Sequence, residues 1–178
     1  FPVPKHLGDE TVRYVGYDTS VALPLSLAKA SGGRLTVSVF LGVCKDICIP
    51  VQAELTTDTS GESFVNPLEE AAVAAAEASL PGEPSEDFRP LSARWSEDGK
   101  TLAVRLLAPG DGALPEVFVS GPSTFQFGAA RAVSRDGEAF VAEVPVLHRP
   151  KKHDPAAGPI RLTARAGERT MESPLAID

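Results

Sequence analysis

Hydrophobic and polar residues along the first third of the chain alternate in short runs, without the three-to-four spacing of an amphipathic helix. Leu35-Thr36-Val37-Ser38-Val39 keeps a period of two, and the apolar run continues through Phe40 and Leu41. A second β-prone run extends from Ile49 to Leu55. Between them lies Gly42-Val43-Cys44-Lys45-Asp46-Ile47-Cys48, so the pattern predicts two strands joined by a tight Lys-Asp-Ile connection, a hairpin. Upstream, Thr11–Tyr17 is a short strand candidate. Val21–Leu27 also alternates, but Pro24 confines such a strand to a sheet edge or a bulge. Ser31-Gly32-Gly33 reads as a turn, and Phe1-Pro2-Val3-Pro4 reads as the middle of a strand, as in a fragment or mature piece of a longer chain.

The period then changes. Asn66 suits a helix N-cap, Pro67 the first helical position and Glu69 the capping-box position. The alanine-rich run from Leu68 to Ser79 follows, and Pro81-Gly82 ends it. This predicts a connecting helix whose alanine face covers a sheet or domain edge, with Glu69, Glu70 and Glu77 keeping the other face wet. Residues 81–90, Pro-Gly-Glu-Pro-Ser-Glu-Asp-Phe-Arg-Pro, have the composition of a linker. Beyond them, Leu91–Ser96 and Thr101–Leu107 flank an Asp98-Gly99 turn. Glu116–Ser120, Thr124–Phe127, Ala139–Leu147, Ile160–Ala166 and Thr170–Ile177 are further short strands, with turns at Asp111-Gly112 and Arg135-Asp136-Gly137. Such a series predicts a small antiparallel sandwich with Trp95 in its core.

Composition narrows the function classes. The hydrophobic share is 43% and the charged share 23%, as in ordinary globular proteins. The formal net charge of −7 argues against a nucleic-acid footprint, which needs a basic stripe. No apolar run is long enough to span a bilayer, and the start has no signal-peptide pattern. The one basic cluster, His148-Arg149-Pro150-Lys151-Lys152-His153, is either a dock for an acidic partner, a weak metal site, or a solvated loop between strands, and the loop is the commoner case. Gly-rich phosphate loops, Ser/His/Asp sets and paired catalytic carboxylates do not stand out.

The candidate chemistry lies in the only two cysteines, Cys44 and Cys48. Opposed positions on a hairpin place Cα atoms roughly 4.5–5.5 Å apart, within disulfide reach. Four roles compete: structural staple, metal site, redox couple and inert buried thiols. In the chain-entropy model a ring of about five residues removes only ~2 kcal/mol from the unfolded state, against ~4.7 for a loop of about 100, so stapling is a weak motive for this spacing. A zinc site needs four ligands, and His6, His148 and His153 stand at no finger-like spacing from the cysteines. Two thiolates could hold Cu(I), which favours soft sulfur. Inert thiols are common in cores, but Lys45 and Asp46 suit a solvent-facing turn. Spacing alone ranks exchange first, a plain disulfide second and metal third. Lys45 favours a thiolate at Cys44 and Asp46 opposes it. Tyr14 and Tyr17 could shield the pair, although amphipathic sheet tyrosines with hydroxyls in water are the commoner case.

Gly42-Val-Cys-Lys-Asp-Ile-Cys-Ile-Pro50, preceded by Phe1-Pro-Val-Pro-Lys5, Val15-Gly-Tyr17 and Val21-Ala-Leu-Pro24, resembles the N-terminal periplasmic domain of the DsbD/ScsB family of thiol:disulfide interchange proteins. It is nearer the ScsB (suppressor of copper sensitivity) branch, in which three residues rather than five separate the cysteines. The resemblance covers roughly residues 1–58 well and the rest by pattern. It implies an immunoglobulin-like sandwich with a redox-active pair at Cys44 and Cys48, the only positions that match the family's functional residues. It further implies electrons received from a membrane-embedded domain and passed to periplasmic thioredoxin-like partners, with no cofactor and with Cys48 attacked first. Family members have more chain ahead of the position of Phe1, including a loop that can shield the cysteines.

The expectation is therefore a mainly β protein with two immunoglobulin-like antiparallel β-sandwich units. Residues 1–65 carry the cysteine pair, 66–90 form a short α-helix and Pro-rich linker, and 91–178 form a second sandwich for positioning or partner contact. The expected function is periplasmic thiol–disulfide exchange. The alternatives are a non-catalytic copper(I)-binding or copper-tolerance module using Cys44 and Cys48, and a structural interaction domain.

Overall fold

The computed structural model describes residues 1–9, 13–27, 33–45, 47–59, 66–110, 113–151 and 157–178. Its elements are β1 (Lys5–Gly8), β2 (Arg13–Gly16), β3 (Arg34–Cys44), β4 (Cys48–Asp58), α1 (Pro67–Ala78), β5 (Arg89–Trp95), β6 (Thr101–Leu107), β7 (Glu116–Ser120), β8 (Gln126–Phe127), β9 (Ala132–Asp136), β10 (Ala139–His148), β11 (Arg161–Ala166) and β12 (Arg169–Pro174). The protein is mainly β, immunoglobulin-like and antiparallel, as the pattern predicts. By its own packing the chain divides into one unit of residues 1–23 with 76–178 and another of residues 24–75. These limits differ from those drawn along the sequence at 65 and 90.

In the larger unit two sheets face each other. One runs β5-β6-β10-β8 with β9 also on β10, and the other runs β12-β11-β7. The period of two explains the core between them. Leu102, Val104 and Leu106 on β6 and Ala142 and Val144 on β10 have no exposed surface, and neither do Leu162, Ala164 and Met171 from the opposite sheet. Burying each large apolar side chain contributes roughly 1.5–3 kcal/mol, so this interior holds the unit together. The Asp98-Gly99 turn forms as expected. Asp98 Oδ1 accepts hydrogen bonds from Lys100 N–H and Ser96 Oγ–H, and Gly99 has a φ of 66°, which favours glycine.

Four parts of this unit correct the sequence reading. Residues 81–90 are not a linker. Phe88 is 2% exposed in the core, Gly82 exchanges backbone hydrogen bonds with Thr170 and Glu172, and Arg169 grips Asp87 at 2.6 and 3.0 Å. One aromatic anchor outweighs a Pro-rich composition. Phe1–Pro4 is not strand; instead β1 follows it and pairs with β2, bringing His6 onto the Phe118 ring at 4.5 Å. Arg165 donates to the Pro4 carbonyl at 3.2 Å. Trp95 is half-buried against the core and stacked with Phe125 and Phe127 rather than central. The strand β9 was not expected, because Ala132-Val-Ser-Arg-Asp136 carries only one large apolar residue to signal it.

The smaller unit contains the long hairpin. β3 and β4 pair over their full 11 residues each, from Arg34 opposite Asp58 to Cys44 opposite Cys48. Val21–Leu27, expected as a strand, forms no ladder. α1 starts as its sequence demands: Asn66 Oδ1 accepts from Leu68 N–H at 3.1 Å, and Asn66 C=O accepts from Glu70 N–H. Its alanines do not cover an edge as expected, since Ala76 is its one buried residue. The expected turns at Ser31-Gly32 and Asp111-Gly112, the first residues of the Thr11–Tyr17 candidate, and Asp46 and His153 lie outside the described residues.

Candidate functional site

The hairpin tip is built by register. Because Arg34 opposes Asp58 and the two strands are equally long, the last pair of the ladder is Cys44 opposite Cys48. Their Cα atoms lie 4.0 Å apart and the sulfurs are joined in a disulfide at 2.08 Å. Lys45 N–H donates to the Ile47 carbonyl at 3.2 Å across the turn. The two sequence-predicted site residues are thus brought together as expected.

The pair is not equally reachable. Cys48 is exposed and Cys44 is half-buried. Strand periodicity puts Gly42, opposite Pro50, on the same face as the disulfide. A Cβ at Gly42 would lie 3.8 Å from Cys44 Sγ, so the glycine leaves bare backbone beside the sulfur. Next along that face stands Phe40, 75% exposed, and the tip also displays Val43, Ile47 and Ile49 to solvent. Exposed apolar clusters of this kind mark surfaces for other proteins. Sequence reasoning singled out the cysteines but missed Gly42. Its place two residues before Cys44 was the available signal.

Other candidates fall elsewhere. Tyr17 donates its hydroxyl to the Pro2 carbonyl at 2.7 Å rather than to water, and burial raises its pKa above the usual phenol range. Tyr14 lies on β2, in the same unit as Tyr17. His6 is stacked on Phe118, and His148 ends β10 opposite Gln126. Among the described residues no three His, Cys, Asp or Glu side chains gather as a metal site. In the basic cluster, Arg149 is not a free solvated charge, because it lies over the Trp95 ring at 5.2 Å. No described helix is long and apolar enough to cross a membrane.

An exposed disulfide at the end of a ladder, flanked by apolar side chains, is equipped to exchange with another protein's thiols. The comparisons agree with that chemistry. Residues 1–60 match the family model described as "Thiol:disulfide interchange protein DsbD, N-terminal", and residues 79–178 match "Domain of unknown function (DUF8393)". The DUF8393 model spans more than half of the chain, so the chain belongs to that family, and its first 60 residues are similar to the N-terminal segment of DsbD. Among solved structures it is similar to the N-terminal periplasmic domain of ScsB from Proteus mirabilis, at 18% identity and a TM-score of 0.68. That match covers 98% of this chain and 70% of the other, and at this identity it speaks for the fold. No curated protein sequence matches the chain. The DsbD segment contains the whole β3–β4 hairpin with its disulfide.

Proposed function

We propose that this chain is a periplasmic thiol–disulfide exchange module, as its match to the DsbD N-terminal segment suggests. In this reading Cys44 and Cys48 take electrons from a membrane-embedded domain, of the same or a partner chain, and hand them to thioredoxin-like proteins. The observation that carries it is the exposed disulfide at the register-paired tip of the hairpin. The unit of residues 24–75 performs the exchange. The cysteine-free sandwich of residues 89–174 positions that unit or holds its partner.

The cycle balances without a cofactor. A thiolate of the donor's dithiol attacks Sγ of Cys48, the more exposed residue of the two, and the Cys44–Cys48 bond breaks with its electron pair on Cys44. A mixed disulfide now joins donor and Cys48. The donor's second thiol, giving up its proton, attacks its own mixed-disulfide sulfur and releases Cys48 as a thiolate. The donor leaves as a disulfide, and Cys44 and Cys48 leave as a dithiol two electrons richer. Delivery is the reverse chemistry on the partner's disulfide: Cys48 attacks, and Cys44 resolves. The apolar side chains around the tip suit brief contacts, since redox encounters use small interfaces.

The test is trapping. With Cys44→Ser, Cys48 has no resolving partner, and a thioredoxin-like protein in its disulfide form accumulates as a mixed disulfide visible on a non-reducing gel. With Cys48→Ser trapping falls strongly. If the wild-type pair stays oxidised in the presence of excess dithiol and neither variant traps a partner, the reading fails.

A further inference from the structure

Away from the hairpin, the larger unit holds a groove that the exchange chemistry does not use. Two adjoining clefts, of about 400 and 320 Å³, share Arg13, Ala129 and Ala130. The first is also lined by His6 and Asp9, the second by Arg131. The groove therefore runs from β1 and β2 to the segment ahead of β9, with a guanidinium in each cleft.

Of the nine other arginines in this acidic chain, seven are committed to a carboxylate or a ring. Arg94, Arg105, Arg161, Arg165 and Arg169 pair with carboxylates, and Arg135 and Arg149 lie over aromatic rings. Arg13 and Arg131, like Arg34 and Arg89, show neither kind of partner among the described residues, and of these four Arg13 and Arg131 line this one groove. Asp9 is already engaged in an interaction of its own. Free guanidinium forks on a concave surface are donors arranged for planar oxyanions, which they bind in pairs of hydrogen bonds.

We propose that this groove binds carboxylates presented in series by an extended acidic peptide. A single carboxylate satisfies one fork. Two adjoining clefts that share Arg13 and end on Arg131 call for a ligand that repeats its charge along an extended chain, at ~3.3 Å per residue. His6 stands in the first cleft and feels the charges of Glu116, Arg13 and Arg165. It reports occupancy, because a carboxylate bound beside it favours its protonated form.

The experiment uses the whole 178-residue chain. Acetylated, amidated tetraglutamate is titrated by calorimetry, beside the tetraglutamine equivalent and inorganic phosphate. The expected result is binding of the glutamate peptide alone, weakened about tenfold by Arg13→Ala and again by Arg131→Ala, the loss typical of a charge-assisted hydrogen bond. The expected NMR midpoint of His6 rises on adding the peptide to wild type and stays put in the double variant. Both arginines are exposed, so the variants keep the fold, and circular dichroism together with unchanged Cys44–Cys48 exchange verifies it. Absence of tetraglutamate binding, or binding the double variant leaves intact, overturns the proposal. Phosphate binding as tight as the peptide overturns it too, by making the groove a site for small anions.

Discussion

The β3–β4 hairpin and the sandwich of residues 89–174 are both antiparallel β structure, yet they are held by different forces. The sandwich stacks two sheets and hides Leu102, Val104, Leu106, Leu162 and Met171 completely. The hairpin lines Leu35, Val37, Val39, Leu41 and Val43 along one face, opposite Thr57, Leu55, Ala53, Val51 and Ile49. That face is nearly all apolar, but Leu41, Val43, Ile49, Val51 and Leu55 remain at least 40% exposed. The same alternation therefore makes a core only where a second sheet faces it. Stability concentrates in the sandwich, and the disulfide sits on the ribbon, where backbone pairing and one covalent link fix the geometry.

The sharpest way to break this contrast is to truncate each region. Leu162→Ala, in the sealed interior, should cost about 2–5 kcal/mol in denaturant unfolding of the sandwich. Leu55→Ala, at 59% exposure, should leave that transition unmoved. Equal losses would mean that the ribbon shares the same core. Next in size, Cys44→Ser should abolish turnover in an insulin- or thioredoxin-coupled assay. Its stability cost should be no more than ~2 kcal/mol, confined to the hairpin as read by amide exchange. A collapse of the sandwich on losing the disulfide would assign the pair a stapling role.

A smaller effect belongs to the helix. Asn66→Ala removes the acceptor for Leu68 N–H and should cost about 1 kcal/mol of helix stability, seen as faster exchange in the first turn of α1. The smallest is a slope with pH. Burial holds the His6 pKa below its ordinary 6.5, against the opposite pull of Glu116. As pH falls through 6.5 the unfolded chain takes up this proton before the folded one does. His6 stability is thus complete above that value and is lost as pH falls toward and through the folded-state pKa. His6→Phe keeps a ring over Phe118 and should flatten this part of the profile between about pH 7.5 and about pH 5.5, with unfolding midpoints as the readout. An unchanged slope would place the pH dependence in this window on other groups. Asp87 acts outside it: Arg169 and Ser85 hold its carboxyl below the usual range, so its contribution is present above the ordinary carboxylate pKa and lost only in stronger acid.

Local chemistry was enough for what neighbours along the chain decide. Three residues between Cys44 and Cys48, between two β-prone runs, dictate a hairpin whose tip joins the sulfurs. Asn66-Pro67 opens a helix, and Asp98-Gly99 turns a strand back on itself. Each needs only contacts within a few residues. The tertiary structure alone decided that Phe88 draws a Pro-rich stretch into the core, and that Val21–Leu27 finds no ladder. It also placed His6 on Phe118, and Arg13 in one groove with Arg131. Those outcomes depend on partners far along the chain, or on a strand offering its free edge, and spacing along a chain carries no record of either.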